Sequence, residues 1–335
     1  MTVDPRLEPV YARMRAAVAS PEPITEPLYS WLRYQIGWAN VDGSPALLQT
    51  GKAIRPRLCL TACAAMGADE ARAVSAAAAI ELTHQFSLVH DDIEDGDTLR
   101  RGRDALWTVI GQAQGINAGD ALFAIARREL THSPVSDALL RAMFERYDTA
   151  CVRLAEGQFL DLAFETSERV TGGDYVDMVA RKTGALLAAA SALGALAGGA
   201  SPEVADRMWR FGESVGIAFQ IQDDVLGMWG DPSSTGKPVG ADLLRGKKSL
   251  PVLLALEQPG ISTRLRAFLV AAGSTHDEAR SLAGDMERLG LRDRSAGLAD
   301  EHAARAMRLL ADMALASEPL AELERLAHAA ACRDR

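Results

Sequence analysis

Residues 77–103 read AAAIELTHQFSLVHDDIEDGDTLRRGR, and this stretch decides the fold. Its first half is apolar at helical spacing, through Ala77, Ile80, Leu82, Phe86 and Val89. It then ends abruptly in Asp91, Asp92, Glu94, Asp95 and Asp97. Outward from there, proline, which breaks helix interiors, is absent from Arg57 to His132 and again from Val135 to Ser201. The spacing predicts long helices in both gaps, and Met178, Leu186, Ala189 and Leu193 repeat the pattern. Strand-like alternation of β-branched residues is hard to find. The expected class is all-α, a single-domain helical bundle around a central cleft. WGDPSSTGKPVG, within Gly227 to Pro251, predicts a loop that separates helices without separating domains. Residues 1–25 carry Pro5, Pro9, Pro21 and Pro23 and are expected to be loosely attached, with 26–335 forming the functional domain.

Composition narrows the function. Apolar residues make up 48% of the 335 and aromatics only 5%, so the core must be built mainly from Ala, Leu and Val. A net charge of -9 argues against a nucleic-acid partner, which needs a broad cationic face. Any anionic ligand must then be met by local charge. The first residues lack the apolar core of a signal peptide, and no stretch approaches membrane-spanning length, so a soluble, cytoplasmic protein is expected. Cys59, Cys63, Cys151 and Cys332 form no CxxC pair, and core packing is the expected role of Cys59 and Cys63.

The acidic residues carry the chemistry. On a helix Asp91 and Asp95 lie one turn apart on one face, where like charges repel by a few tenths of a kcal/mol. A bound cation would remove that repulsion, and carboxylate oxygens suit Mg²⁺, which bridges one or two carboxylates to substrate phosphates. The plain alternative is a solvated acidic helix end. A second cluster, FQIQDDVLGMWGD at 219–231, repeats the arrangement with Asp223 and Asp224. Basic residues follow each doublet: Arg100 and Arg101 after the first, Lys237, Lys247 and Lys248 after the second. Two such walls facing across a cleft, with metal ions between them, would bind a diphosphate.

Further motifs extend the pattern: GKAIRP at Gly51 to Pro56, RRG at Arg100 to Gly102, NAGDAL at Asn117 to Leu122, GQFLDL at Gly157 to Leu162, KTGAL at Lys182 to Leu186, and GDPSSTGKPVGADLLRGKKSLP at Gly230 to Pro251. From about Trp38 to Leu254 the chain resembles the trans-isoprenyl diphosphate synthases, the polyprenyl synthetase family, of the short-chain type. The resemblance implies the isoprenoid synthase fold and a prenyl transferase that joins isopentenyl diphosphate to an allylic diphosphate. It implies three Mg²⁺ ions per site, two held by Asp91, Asp92 and Asp95, and one by Asp223 with Asp224 in support. Asp91, Asp92, Lys182 and Asp223 are the implied catalytic residues. Arg100, Lys182 and Lys237 would serve the allylic diphosphate, with Thr183 and Gln220 beside them, and Lys247 is a further implied substrate-binding residue. Lys52, Arg55, His84 and Arg101 match the positions for isopentenyl diphosphate. No side-chain nucleophile is needed, and a homodimer is implied.

In this family the product grows along the helix of the first aspartates, so Phe86 is the candidate tunnel floor. Ser87 beside it is small, which favours twenty carbons over fifteen. Three departures from the family pattern stand out. Gly227 sits where a third aspartate is frequent, Arg103, Asp104 and Ala105 stand where Pro and Thr are usual, and GKAIRP replaces GKRLRP. The rival reading is a class I terpene cyclase on the same scaffold, which would have no use for Lys52, Arg55, His84 and Arg101 together.

Overall fold

Alanine sets the spacing of the central helix α4 (Val74–Glu94), in which Ala76, Ala77, Ala78 and Ala79 have no exposed surface. Small side chains let neighbouring backbones come close, and α6 (Gln112–Leu130) packs along α4 through two glycines one turn apart. A Cβ on Gly115 would lie 2.9 Å from Ile93 Cδ1, and one on Gly119 would run into the His90 ring. The same device recurs where α9 (Ala185–Ala197) meets α3 (Ile54–Ala65), because a Cβ on Gly194 would lie 2.9 Å from the Cys59 carbonyl carbon. Cys59 and Cys63 are buried at that contact, and burial pushes the Cys63 thiol up to about 11.

This computed structural model describes residues 4–46, 53–167, 169–231, 239–271 and 274–332, so Lys52 and Lys237 lie outside the described residues. The expected all-α class holds. Among the described residues the one sheet is a hairpin of β1 (Leu99–Arg100) and β2 (Arg103–Asp104), and no helix is long and apolar enough to cross a membrane. Contacts gather the chain into two compact units, one of Met1–Tyr147, Ala189–Asp206 and Leu315–Leu320, the other of Asp148–Ala188, Arg207–Ala314 and Ala321–Arg335. Three of the five boundaries fall inside α7 (Asp137–Thr166), α9 and α10 (Pro202–Trp229).

Residues 4–25 are built largely of short helical segments. Pro5, Pro9 and Pro23 stand in the first turns of helical segments, where a missing N–H is harmless. Helix α1 (Glu8–Ala17) buries Val10 and Met14, and Arg13 forks onto the buried Glu129 at 2.6 and 2.9 Å. In the second unit a π-helical turn, Ala180–Gly184, separates α8 (Gly172–Val179) from α9.

Candidate active site

Helix α4 ends in acids, which is the wrong end for them. The last carbonyls of a helix carry partial negative charge, and no basic side chain occupies the last turn of α4. Helix α10 carries Asp223 and Asp224 more than one turn before its end at Trp229. Carboxylates placed as at the end of α4 gain nothing for stability, which favours a cation-binding role over a merely solvated helix end.

In the first unit Asp91 is half-buried, Asp95 exposed and Asp92 buried. The Arg100 guanidinium grips Asp92 through Nε, 2.8 Å from Oδ1, and through Nη2. Asp92 Oδ2 is buried with no hydrogen-bond partner. Burial lifts the Asp92 carboxyl; Arg100 opposes that rise, and Asp97 and Asp95 reinforce it. Asp92 is thus the residue that orients Arg100, while Asp91 and Asp95 present oxygens on the exposed side.

A cationic cluster lies further up the same helix. His84 stays below the usual imidazole range because it is buried and because Arg55, Arg101 and Arg100 all act on it. Buried Glu81, one turn earlier, feels Arg55 and Arg101 and accepts a hydrogen bond from Gln85 Nε2 at 2.8 Å. Ala53 at φ 44 and Arg101 at φ 53 are the non-glycine residues in left-handed backbone among those described, and both flank this cluster. Such strain persists where its surroundings demand it. Arg101 and Gly102, at φ 75, form the two-residue turn of the β1–β2 hairpin, in which both positions need positive φ. The unusual Arg103 and Asp104 do not loosen this hairpin. Tyr34 of α2 (Glu26–Ile36) donates its hydroxyl to Asp104 O at 2.9 Å, and the Arg103 guanidinium lies over the Tyr34 ring at 3.8 Å and donates to Ala39 O at 3.0 Å.

Phe86 meets two rings, His90 edge-on at 4.9 Å and Phe123 of α6 at 5.1 Å. Ser87 turns its hydroxyl back to His84 O at 2.9 Å and so adds no bulk. Phe123 was missed from sequence, although it follows NAGDAL directly.

In the second unit a hydrogen-bonded chain links the expected residues to two that were not foreseen, Tyr175 and Leu250. Thr183 Oγ1 pairs with Gln220 Oε1 at 2.8 Å, and Gln220 Nε2 donates to Asp224 Oδ1 at 3.1 Å. Asp224 Oδ2 accepts from Tyr175 Oη at 2.6 Å and from the Leu250 N–H at 3.2 Å, and Lys247 Nζ is 3.5 Å from Oδ1. Both oxygens of this buried carboxylate are therefore taken. Asp224 is the hub that ties α8, α10 and the segment after Gly240 together. Lys247 is held in its charged form first by Asp224 and then by Asp242 and Asp161, so it serves these carboxylates. Lys248 turns elsewhere, donating to Phe164 O at 2.6 Å and to Ser167 O beyond the end of α7. Lys182 Nζ pairs with Asp161 of GQFLDL at 2.5 Å. These residues line a cavity of about 30 Å³, the share of one water.

Among the described residues no three acidic, imidazole or thiol side chains converge to hold an ion unaided. The donors are nonetheless all carboxylate oxygens, and Asp92 Oδ2 lacks a donor, so the set fits a hard divalent cation completed by phosphate and water oxygens.

A sequence profile described as polyprenyl synthetase matches residues 44–286. The chain is 43% identical over 267 residues to a geranylgeranyl diphosphate synthase of Mycobacterium tuberculosis, covering 80% of this chain and 75% of that protein. It is 39% identical over 302 residues to a (2E,6E)-farnesyl diphosphate synthase of Mycobacterium bovis, covering 88% and 83%. The crystal structure of a polyprenyl synthetase from Streptomyces coelicolor A3(2) superposes with a TM-score of 0.90 at 36% identity, over 97% of both chains. On sequence and fold together, the chain belongs to the polyprenyl synthetase family of short-chain prenyl diphosphate synthases.

Proposed function

We propose that this prenyltransferase condenses isopentenyl diphosphate with an allylic diphosphate in the presence of Mg²⁺, and that it acts as a cytoplasmic homodimer whose main product is the linear twenty-carbon diphosphate. The observation that carries the reading is the cluster of Arg55, His84 and Arg101 set apart from the acidic end of the same helix α4. A cyclase would have no diphosphate to place there, and none of the relatives named above is one.

Magnesium, when bound, stabilises negative charge on the departing allylic diphosphate. Asp91, Asp92 through its Oδ2, Asp95 and Asp223 are the carboxylates we assign to it. Arg100, fixed by Asp92, offers its remaining N–H groups to the same diphosphate, and Lys182, fixed by Asp161, offers a point charge. Arg55 and Arg101 fork onto the isopentenyl diphosphate, and neutral His84 donates one N–H. The apolar face of α4 keeps water from the carbocation. The test is incubation with Mg²⁺, isopentenyl diphosphate and each of the five-, ten- and fifteen-carbon allylic diphosphates, with products identified by mass after phosphatase treatment. Linear alcohols longer than the primer support the reading; cyclic products formed without isopentenyl diphosphate overturn it.

Chain length follows from the ring pair. The two relatives make products named differently, so the twenty-carbon assignment rests on Phe86 and Phe123 closing the path below Asp91. Phe86→Ala and Phe123→Ala each lengthen the main product by at least one isoprene unit. An unchanged product from both variants removes these rings as the floor.

The depressed His84 gives a pH signature. Unfolded histidine takes up a proton near pH 6.5 while folded His84 does not, so the unfolded state binds more protons and stability falls as pH drops through that value. Between pH 7.5 and 5.5 the parent loses more melting temperature than His84→Gln. Equal losses would show that His84 is not the group responsible.

A further inference from the structure

Gly227 closes the second acidic motif where the family often has a third aspartate, and the space beside it is filled. A Cβ at position 227 would lie 2.8 Å from Asp242 Cγ and 3.0 Å from its Oδ1, and closer still to Oδ2. Packed interiors do not tolerate such approaches, so residue 227 is glycine because the Asp242 carboxylate rests against its Cα. Two backbone bonds bring it there. The Gly240 N–H donates to Met228 O at 3.0 Å, fastening the segment to the end of α10, and the Lys247 N–H donates to Asp242 O at 3.0 Å. Gly240, in left-handed backbone at φ 76, turns the chain into the short helix Ala241–Leu244 that carries Asp242.

Position 227 follows Asp223 by one helical turn, so a carboxylate lying on Gly227 shares the face of α10 that Asp223 occupies. Asp242 is only 9% exposed, and its charge acts on both Lys247 and Tyr175. Neither nearby acid competes for the position. Asp224 has both oxygens engaged, and Asp231 is exposed past the end of α10.

We propose that Asp242 supplies the third acidic group of the second metal-binding face, in the place of the side chain that residue 227 lacks; this rests on reading Asp223 as a magnesium ligand. Because no three such side chains converge on one point among the described residues, Asp242 acts as a positioning residue, accepting hydrogen bonds from water on the ion.

The test measures Mg²⁺ affinity without turnover, as the Mg²⁺ concentration that half-maximally raises the melting temperature in the presence of inorganic pyrophosphate. Asp242→Asn raises that concentration about tenfold, in the range found when a group behind a metal ligand is lost. Gly227→Asp alone weakens binding by a similar factor, because two carboxylates contend for one space. Combining Gly227→Asp with Asp242→Ala brings affinity back to within about threefold of the parent, a rescue that general damage to packing would not give. Asp223→Asn is the control and raises the half-maximal Mg²⁺ concentration at least as far as Asp242→Asn does, while the first acidic face keeps its own response. If Asp223→Asn weakens Mg²⁺ binding while Asp242→Asn leaves affinity at the parental value and the double variant is not rescued, the role of Asp242 is overturned and the reading of Asp223 stands. If Asp223→Asn leaves affinity at the parental value, the reading of Asp223 as a magnesium ligand fails and takes the proposal with it. Should Asp242→Asn not fold, the double variant decides alone, since its rescue requires a carboxylate in this one place.

Discussion

Asp91→Ala lowers turnover about a thousandfold at saturating substrate and Mg²⁺, with little change in the affinity for isopentenyl diphosphate. The magnitude is what enzymes lose with one preorganised electrostatic contact to the transition state. The selectivity comes from position. Asp91 sits at the acidic end of α4, whereas the Arg55 and Arg101 cluster acts on Glu81 and His84 two to three turns earlier. Steady-state kinetics with each substrate varied in turn, together with Mg²⁺ titration, measures both quantities. A variant retaining a tenth of the parental rate would remove Asp91 from the metal ligands. Loss of isopentenyl diphosphate affinity equal to the loss of rate would mean instead that the end of α4 had been deformed.

Gly157→Ala has the largest expected effect outside the charged groups. A Cβ there would lie 2.6 Å from Lys182 Cα and 2.7 Å from the Arg181 carbonyl carbon, and it would press harder still on Lys182 N. These are backbone atoms of the π-helical turn, so no side chain can swing aside. Overpacking of this kind costs about 3 kcal/mol, at the upper end of the usual range. The shift also moves Lys182 relative to Asp161, so kcat falls in the fraction that folds. Chemical denaturation and single-turnover rates read the two effects separately, and Gly173→Ala, where a Cβ meets nothing closer than Thr171 Oγ1 at 3.6 Å, is the neutral control. A Gly157→Ala protein as stable as that control would mean that α7 and the turn move apart freely.

The helical class and the two acidic ends were legible because their signals are local. Apolar spacing, missing prolines and a sudden run of aspartates all lie within a few turns of one another around Asp91. The role of Asp224 was not legible. Adjacent residues on a helix point about 100° apart, and which of Asp223 and Asp224 turns inward depends on Tyr175 and Leu250, 49 and 26 residues away. The partners of Lys247 and Lys248 were not legible for a similar reason: the two are neighbours in sequence, yet one is held by Asp224 and the other by carbonyls at the end of α7. The helical use of the N-terminal prolines was not legible because proline loosens a chain in isolation but starts a helix when an apolar face such as Val10 and Met14 has somewhere to pack. Gly227 signalled a weakness that the fold answers with Asp242, from fifteen positions further along the chain.

The acids at the end of α4 oppose the helix dipole, and this bears on any attempt to engineer the enzyme for heat resistance. A library selected only for survival at high temperature, without metal or substrate, will favour Asn, Lys or Arg at Asp91 and Asp95, since each such change suits the carbonyl end of the helix. The survivors will be robust and inert. Selection must therefore be run on the loaded protein, where the ion's charge reverses the preference at those two positions.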